Sequence, residues 1–408
     1  MNMKSFKIVV VALLTLITSY ASAQFCTSDT RFSEIDFFSN TQIDSLKNVT
    51  YGNALTWAGA SEDLLIDYYF PKSTIDPMPS RPFILVIHGG GFIGGEKESK
   101  ILECKELAKR GYVVATMDYR LGFDQTDPNN IVNAVYRAQQ DVNAALRYTV
   151  EIAPTLGIDT SWMFTGGSSA GSVTSTFTSY MQQSEWNSGQ PSIENLLGPL
   201  NSSGNNLTHT FEIHGLFNQW GASPAGSATP DELIPTISFH GALDNNVPIG
   251  VGQFGMEGSQ LIHDKLIANG ICSDFTLDPQ GGHGIYQTLA GEKFMINRIS
   301  CFFKSLFCDN CFDFFSTQQV FADCSSTLNL TESSLQNEIA VYPNPFKDQL
   351  SFRNLNGSEY FYIYTIQGQV IYEGSDIQSQ NFYQFPSGLY LLRVLQEDHQ
   401  QILRLYKD

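Results

Sequence analysis

The chain has 408 residues, 42% of them hydrophobic and 16% charged, so it can build cores and is not compositionally disordered. Its formal net charge of −18 argues against phosphate backbones and anionic lipid as partners, since like charge repels it from both. Past the leader no segment offers the roughly 18 consecutive apolar residues of a membrane span, and the length suits one large domain plus a smaller one.

Taken in chain order, Lys4 and Lys7 precede a mostly apolar run, Ile8–Ile17, and then Ala21-Ser22-Ala23. A charged start, a short apolar stretch and a small-residue site predict a signal peptide over 1–23, cleaved before Gln24. The run is about half the length of a span, which disfavours an anchor. Cys26 lies past the cleavage site and follows Gln24-Phe25, so lipoprotein processing is not expected. Outside the cytosol, disulfides are the default for the seven cysteines. Cys104 falls in a predicted helix beside Leu107 and Ala108 and is the candidate odd, buried thiol. Cys26, Cys272, Cys301, Cys308, Cys311 and Cys324 can then pair, in a connectivity that sequence does not choose. Cys308-Asp309-Asn310-Cys311 has CxxC spacing, but no second pair or histidine supports zinc, so it reads as part of a disulfide cluster.

From about residue 62 to 307 short apolar runs alternate with amphipathic stretches. Phe83–Ile87, Tyr112–Met117, Trp162–Thr165, Thr236–Phe239 and Phe275–Leu277 read as buried strands. Glu98–Lys109, Val132–Glu151, Gly171–Gln182, Gln260–Ala268 and Glu292–Leu306 read as helices. This alternation predicts an α/β fold, a mostly parallel sheet covered on both faces. Gln183–Thr210 is rich in Ser, Asn and Gly and long for a loop, which suggests a lid or a mobile insertion. Ser316–Asn337 has linker composition. Beyond it, Tyr360–Thr365, Val370–Tyr372 and Leu389–Val394 are short strands separated by Gly and Pro, which predicts a small antiparallel β-sandwich. The expected boundaries are a leader at 1–23, an α/β domain at 24–312, a linker at 313–338 and the sandwich at 339–408. The sandwich is close to neutral, so the acidity belongs to the α/β part.

The strongest chemical signal is Gly167-Ser168-Ser169-Ala170-Gly171, between a predicted strand and a predicted helix. A serine on such a turn has its Oγ pushed into the open, and small flanking residues avoid clashes across the turn. Ser168 competes as nucleophile, but only Ser169 has the spacing on both sides. The second signal is His88-Gly89-Gly90-Gly91-Phe92 at a strand end, where consecutive glycines let N–H groups converge on a developing oxyanion. A serine needs a base, and the base an orienting acid. Of the seven histidines, His88 belongs to the glycine loop and His240, at a strand end, reads as structural. His209 and His214 flank an earlier strand, His263 lies on a helix and His399 in the small domain. His283, in Gly281-Gly282-His283-Gly284, follows the last strand and precedes the last helix, where a base can reach Ser169. Asp244, after the strand that ends near His240, is the candidate acid; Asp231 and Asp278 compete. Ser169, Asp244, His283 is a known chain order for such a triad.

At these residues the chain resembles the α/β-hydrolase serine esterases, within them the carboxylesterase, hormone-sensitive-lipase-like and feruloyl/acetylxylan-esterase groups. The resemblance spans roughly residues 50–307 and also uses Leu65–Pro71, Gly111–Val114 and Asp118–Gly122. It implies that Gly90, Gly91 and Ala170 donate the oxyanion N–H groups and that Asp118 and Arg120 brace the site. It implies no metal and no organic cofactor. One residue departs: the position before the nucleophile, often acidic in carboxylesterases, is Ser168. The C-terminal part resembles the type IX (Por) secretion sorting domain of Bacteroidetes, through Val341–Phe346, Tyr364–Val370, Pro386–Tyr390 and Ile402–Lys407. That likeness implies export through the periplasm to the surface or medium, with the type IX machinery as partner and no stable membrane insertion. The combined expectation is a secreted serine ester hydrolase acting on a small or polysaccharide-linked ester. A serine peptidase of the prolyl-oligopeptidase kind and a non-catalytic surface binding protein are the alternatives.

Overall fold

The computed structural model describes residues 24–26, 29–224, 228–322, 324, 339–355, 357–365, 369–396 and 399–407. The expected leader lies outside these residues, as does most of the expected linker. The chain divides into two compact units, one up to Thr327 and one from Leu328.

The first unit is built on strands β1 (Ile43–Leu55), β2 (Ser61–Pro71), β3 (Arg81–Ile87), β4 (Val113–Met117), β5 (Ile158–Ser168), β6 (Ile213–Gln219), β7 (Ala222–Ser223), β8 (Thr236–Gly241), β9 (Glu257–Gly258), β10 (Ser273–Asp278) and β11 (Phe314–Ser316). Nine of them form one sheet in the order β1-β2-β4-β3-β5-β6-β8-β10-β11, and β7 pairs separately with β9. The β1–β2 and β2–β4 pairs are antiparallel, and every pair from β4 through β11 is parallel. Its helices are α1 (Ile101–Lys109), α2 (Ile131–Leu156), α3 (Ala170–Tyr180), α4 (Gln183–Gly189), α5 (Ile193–Leu197), α6 (Ser259–Ala268) and α7 (Leu289–Phe307).

Every residue of β3 is buried, as expected for a parallel strand covered on both faces. Alternate side chains divide between two cores. Phe83, Leu85 and Ile87 pack with α2 and α3, whereas Ile84 and Val86 pack with α1 and α7. The β1–β2 hairpin was not among the expected strands, because β1 is largely exposed and polar. It is tied to the body by Arg120, whose guanidinium bonds the Leu55 carbonyl at 3.0 Å and the buried Asp141 carboxylate at 2.7 Å. Two further expectations are corrected. Phe314–Ser316, expected in the linker, extends the sheet beside β10. Residues 183–210 are not a bare loop. They begin with α4 and α5, and Trp186 is buried against Tyr136 and Phe177, its Nε1 donating to Gln139 Oε1 at 2.6 Å.

Three disulfides, Cys26–Cys308, Cys272–Cys311 and Cys301–Cys324, use the six expected cysteines, and Cys104 is the buried free thiol. The two cysteines of the CxxC run therefore have separate partners. Burial pushes the Cys104 thiol pKa well up, which keeps it protonated and inert.

The second unit holds β12 (Ala340–Tyr342), β13 (Ser351–Arg353), β14 (Tyr360–Thr365), β15 (Val370–Gly374), β16 (Gly388–Gln396) and β17 (His399–Lys407). They make a two-stranded sheet and a four-stranded sheet ordered β15-β14-β16-β17, with all pairs antiparallel. The two sheets share one apolar core: Phe352 of β13 lies 5.1 Å from Phe361 of β14, with Leu392, Val394 and Leu405 in the same cluster.

Candidate active site

Strand β5 ends at Ser168 and α3 begins at Ala170, which leaves Ser169 alone in the turn with φ 52° and ψ −119°. A non-glycine residue held at positive φ is strained and persists only when its surroundings dictate it. Here they do. The Ser169 N–H donates to the Gln219 carbonyl at 2.9 Å, and both flanking glycines are forced by the end of β3. A Cβ on Gly167 or on Gly171 would lie 2.2 Å from the Ile87 carbonyl oxygen. The GxSxG pattern is thus a packing requirement that leaves the Ser169 hydroxyl facing a cavity.

From that hydroxyl a line of hydrogen bonds crosses three loops. Ser169 Oγ and His283 Nε2 are 2.8 Å apart, and His283 Nδ1 and Asp244 Oδ2 are also 2.8 Å apart. A carboxylate only accepts, so Nδ1 carries the proton and Nε2 accepts from the serine. Asp244 Oδ1 in turn accepts from the backbone amides of Asn246 and Val247, each at 2.9 Å. Burial pushes the Asp244 pKa up, but the hydrogen bonds from His240, the Val247 amide and His283 outweigh it and hold it at about 2. Asp244 is therefore an anion throughout the ordinary pH range. Of the competing acids, Asp278 receives the Gln280 amide at 3.0 Å and Asp231 lies exposed in a short 3-10 turn. Neither is the partner of His283.

The glycine loop lies beside the serine, a Cβ on Gly89 falling 3.3 Å from the Ser169 Cβ. Gly90 and Gly91 have φ of 118° and 62°, and a Cβ on Gly90 would lie 1.9 Å from the Gly94 carbonyl oxygen. His88 fixes the entry to the loop. Its ring stacks on Tyr119 at 4.4 Å, its Nδ1 donates to the Gly89 carbonyl at 2.7 Å, and Tyr119 Oη donates to the His88 carbonyl at 3.0 Å. Burial lowers the His88 pKa, so the ring serves as a neutral brace. Gly90, Gly91, Ser169 and Ala170 all line one cavity. Ala170 is the first residue of α3, where a helix leaves its amides without an internal partner.

That cavity is about 1100 Å³. Ile131, Val132 and Val135 of α2, Val173 and Phe177 of α3, and Trp186 of α4 make one apolar wall, and Glu185 is its charged lining residue. Trp220 lines it too, held at φ 45° after β6. Sequence reasoning missed another part of the lining, residues 252–256. They form the tip of a hairpin in which the Gly258 amide bonds the Gly250 carbonyl at 2.7 Å and the Gly252 amide bonds the Met256 carbonyl at 2.8 Å. Its sequence signal is the glycine spacing at 250, 252, 255 and 258. Phe254 sits at the tip with φ 56° and is exposed.

The remaining candidates fall elsewhere. Arg120 and Asp118 brace the framework, Asp118 by accepting the Lys97 amide at 2.8 Å. His209 pairs with Glu151, His214 lies near Glu212 and His263 meets Ser273. The His399 side chain lies outside the described residues. Ser168 lines the same cavity as Ser169, but His283 bonds the latter.

A parallel sheet with a strained serine at the strand-to-helix turn, facing a glycine loop, defines an α/β hydrolase. More particularly, residues 66–223 match the family model BD-FAE, an esterase-like α/β-hydrolase family, and residues 340–407 match a secretion system C-terminal sorting domain. The chain is thus an esterase-like α/β hydrolase with a secretion tail. Among solved structures it is similar to a thermophilic esterase of Thermogutta terrifontis, Est2 with butyrate bound, at 18% identity and TM-score 0.46 over 61% of this chain and 91% of that one. The same esterase phosphorylated by paraoxon gives 19% identity and TM-score 0.47 over 67% and 96%. The strand order, not these overlays, defines the fold. A curated relative, methylphloroacetophenone synthase of Cladonia uncialis, is 36% identical over 95 residues, 23% of this chain. The matched stretch spans only 4% of that relative's length. Among the described residues no helix is long and apolar enough to cross a membrane.

Proposed function

We propose that the protein is a secreted serine carboxylic-ester hydrolase working through an acyl-enzyme. The observation that carries this reading is the unbroken hydrogen-bond line from Ser169 through His283 to Asp244, starting at a strained turn and facing a cavity. Ser169 attacks the ester carbonyl while His283 Nε2 takes its proton, and Asp244 holds the imidazole in the required tautomer and steadies its charge. The amides of Gly90, Gly91 and Ala170 receive the oxyanion. His283 then protonates the leaving alcohol, and water, deprotonated by the same imidazole, releases the acid. The sorting-domain match supports delivery by the type IX machinery to the surface or medium.

The test is cleavage of short-chain nitrophenyl esters by the purified mature protein. Ser169→Ala is expected to lose activity on the order of a millionfold if the three residues act as a unit. Retained turnover in that variant removes the assignment and turns attention to Ser168→Ala. Cleavage of peptide anilides without cleavage of esters would favour a peptidase.

A further inference from the structure

The line of bonds does not stop at Asp244. Oδ2, which receives His283, also lies 3.2 Å from Nε2 of a second imidazole, His240. That ring is fully buried at the end of β8. His240 Nε2 is also 2.8 Å from the Val247 carbonyl oxygen, which can only accept, so Nε2 bears a proton. On its other side, Nδ1 lies 2.7 Å from Ser259 Oγ, at the start of α6. Ser259 Oγ is 3.0 Å from Asn218 Nδ2, and Asn218 Oδ1 accepts the Gly221 amide at 2.8 Å and the Ser172 hydroxyl. The Gly221 amide fixes which way the Asn218 side chain faces. Asn218 Nδ2 must then donate to Ser259, whose one hydroxyl proton is left for His240 Nδ1. The ring is thereby set as the neutral Nε2–H tautomer, its one donor shared between the Val247 carbonyl at 2.8 Å and Asp244 Oδ2 at 3.2 Å. Ser172 stands on α3 one turn past Ser169, so the bonds close a loop: Ser169, His283, Asp244, His240, Ser259, Asn218, Ser172 and back along the helix.

We propose that His240 is a positioning residue of the esterase. Its Nε2–H fills an acceptor site of Asp244, fixing the carboxylate and moderating its pull on His283, while Ser259 and Asn218 hold His240 in the one tautomer that can do so. The role deepens the ester-hydrolase reading and takes its meaning from it. With both Asp244 oxygens already bonded to two donors each, the carboxylate can neither rotate nor draw the proton off Nδ1. The same turn serves twice, because Val247 gives its N–H to Asp244 and its carbonyl to His240. Other titratable groups around the pair are few. Strand β10 brings Asp278 beside Gly241, β6 offers neutral Asn218 and Gln219, and α6 carries His263, engaged with Ser273.

The test follows the His283 titration in the resting protein by NMR of histidine labelled at Cε1, its signal identified by loss in His283→Gln. Removing a donor leaves the Asp244 charge more concentrated, so the imidazolium is held harder. His240→Leu is expected to raise the His283 midpoint by about half a pH unit or more and to lower kcat about tenfold with KM unchanged. His240→Gln, whose amide nitrogen reaches the Nε2 position, should return the midpoint to that of the wild type. Ser259→Ala, which removes the hydroxyl that bonds His240 Nδ1 and accepts from Asn218, should shift it the same way by less, and it decides the matter if His240→Leu does not fold. A His283 midpoint unmoved in the Leu and Ala variants overturns the proposal, as does an equal shift in Leu and Gln. A wild-type protein that cleaves no ester would refute the proposed function, while the NMR midpoints would still decide the role of His240.

Discussion

The two units of this chain treat buried polarity in opposite ways. The α/β unit encloses a buried set of polar and charged side chains, including Asp141, Asn218, His240, Asp244 and Ser259, whereas Glu359 is the single one among the described residues of the C-terminal unit. Burying such groups is costly unless each finds its partner. A unit that performs chemistry accepts that cost because its reacting groups must be held still out of water. A unit that serves as a tag needs only a stable shape, and a core of Phe, Leu, Ile and Val supplies it.

The contrast can be broken by experiment. The largest expected effect is on the chemistry: Asp244→Asn should reduce kcat by about ten-thousandfold while leaving thermal unfolding of the C-terminal unit where it was, measured by ester turnover and calorimetry. Next, Leu392→Ala should cost the C-terminal unit about 2–5 kcal/mol, because Leu392 is fully buried there. Calorimetry should show the transition of the C-terminal unit alone moving, with ester kcat unchanged. A smaller effect is set by pH. The Asp244 pKa is depressed to about 2, so its contribution to stability is complete above the ordinary carboxylate value and is lost as pH falls from there through the folded-state value. The stability gap between wild type and Asp244→Asn, from urea unfolding, should narrow from about pH 4 to about pH 2. A gap that stays constant would show that the Asp244 charge carries no stability. The smallest effect on catalysis is expected from deleting Ile339–Asp408: kcat/KM should match the full chain, while secretion assays find the protein retained in the cell envelope.

Much of the architecture was legible because its signals are local. The buried strands β3, β4, β5, β8 and β10 are short apolar runs between amphipathic stretches, and periodicity finds them. Strand β1 was not, since its partners, β2 in sequence and the Arg120 anchor in space, rather than its composition, make it a strand. Strand β11 fell inside the expected linker bounds of 313–338 because three residues beside a run of linker composition carry too little pattern to mark a strand. At the candidate site, Ser169 and Asp244 stand in spacings that the turn geometry demands and His283 is singled out by its place after the last strand, and the structure brings the three into one line of hydrogen bonds. His240 read as structural because its role depends on Ser259 and Asn218, both far off in sequence and each unremarkable alone. The cavity wall at 252–256 was missed because glycine spacing marks a turn without saying what it faces. The disulfide partners were not legible, since pairing depends on which chain ends the sheet brings together.

The Cys26–Cys308 bridge spans 282 positions and joins the start of the described chain to the residue after α7. Its second sulfur is made only after nearly the whole α/β unit has been synthesised, so this bond cannot form on a partial chain. An intact bridge certifies that the chain was made through to the end of α7, and Cys311 and Cys324, which complete the other two bridges, follow it in sequence.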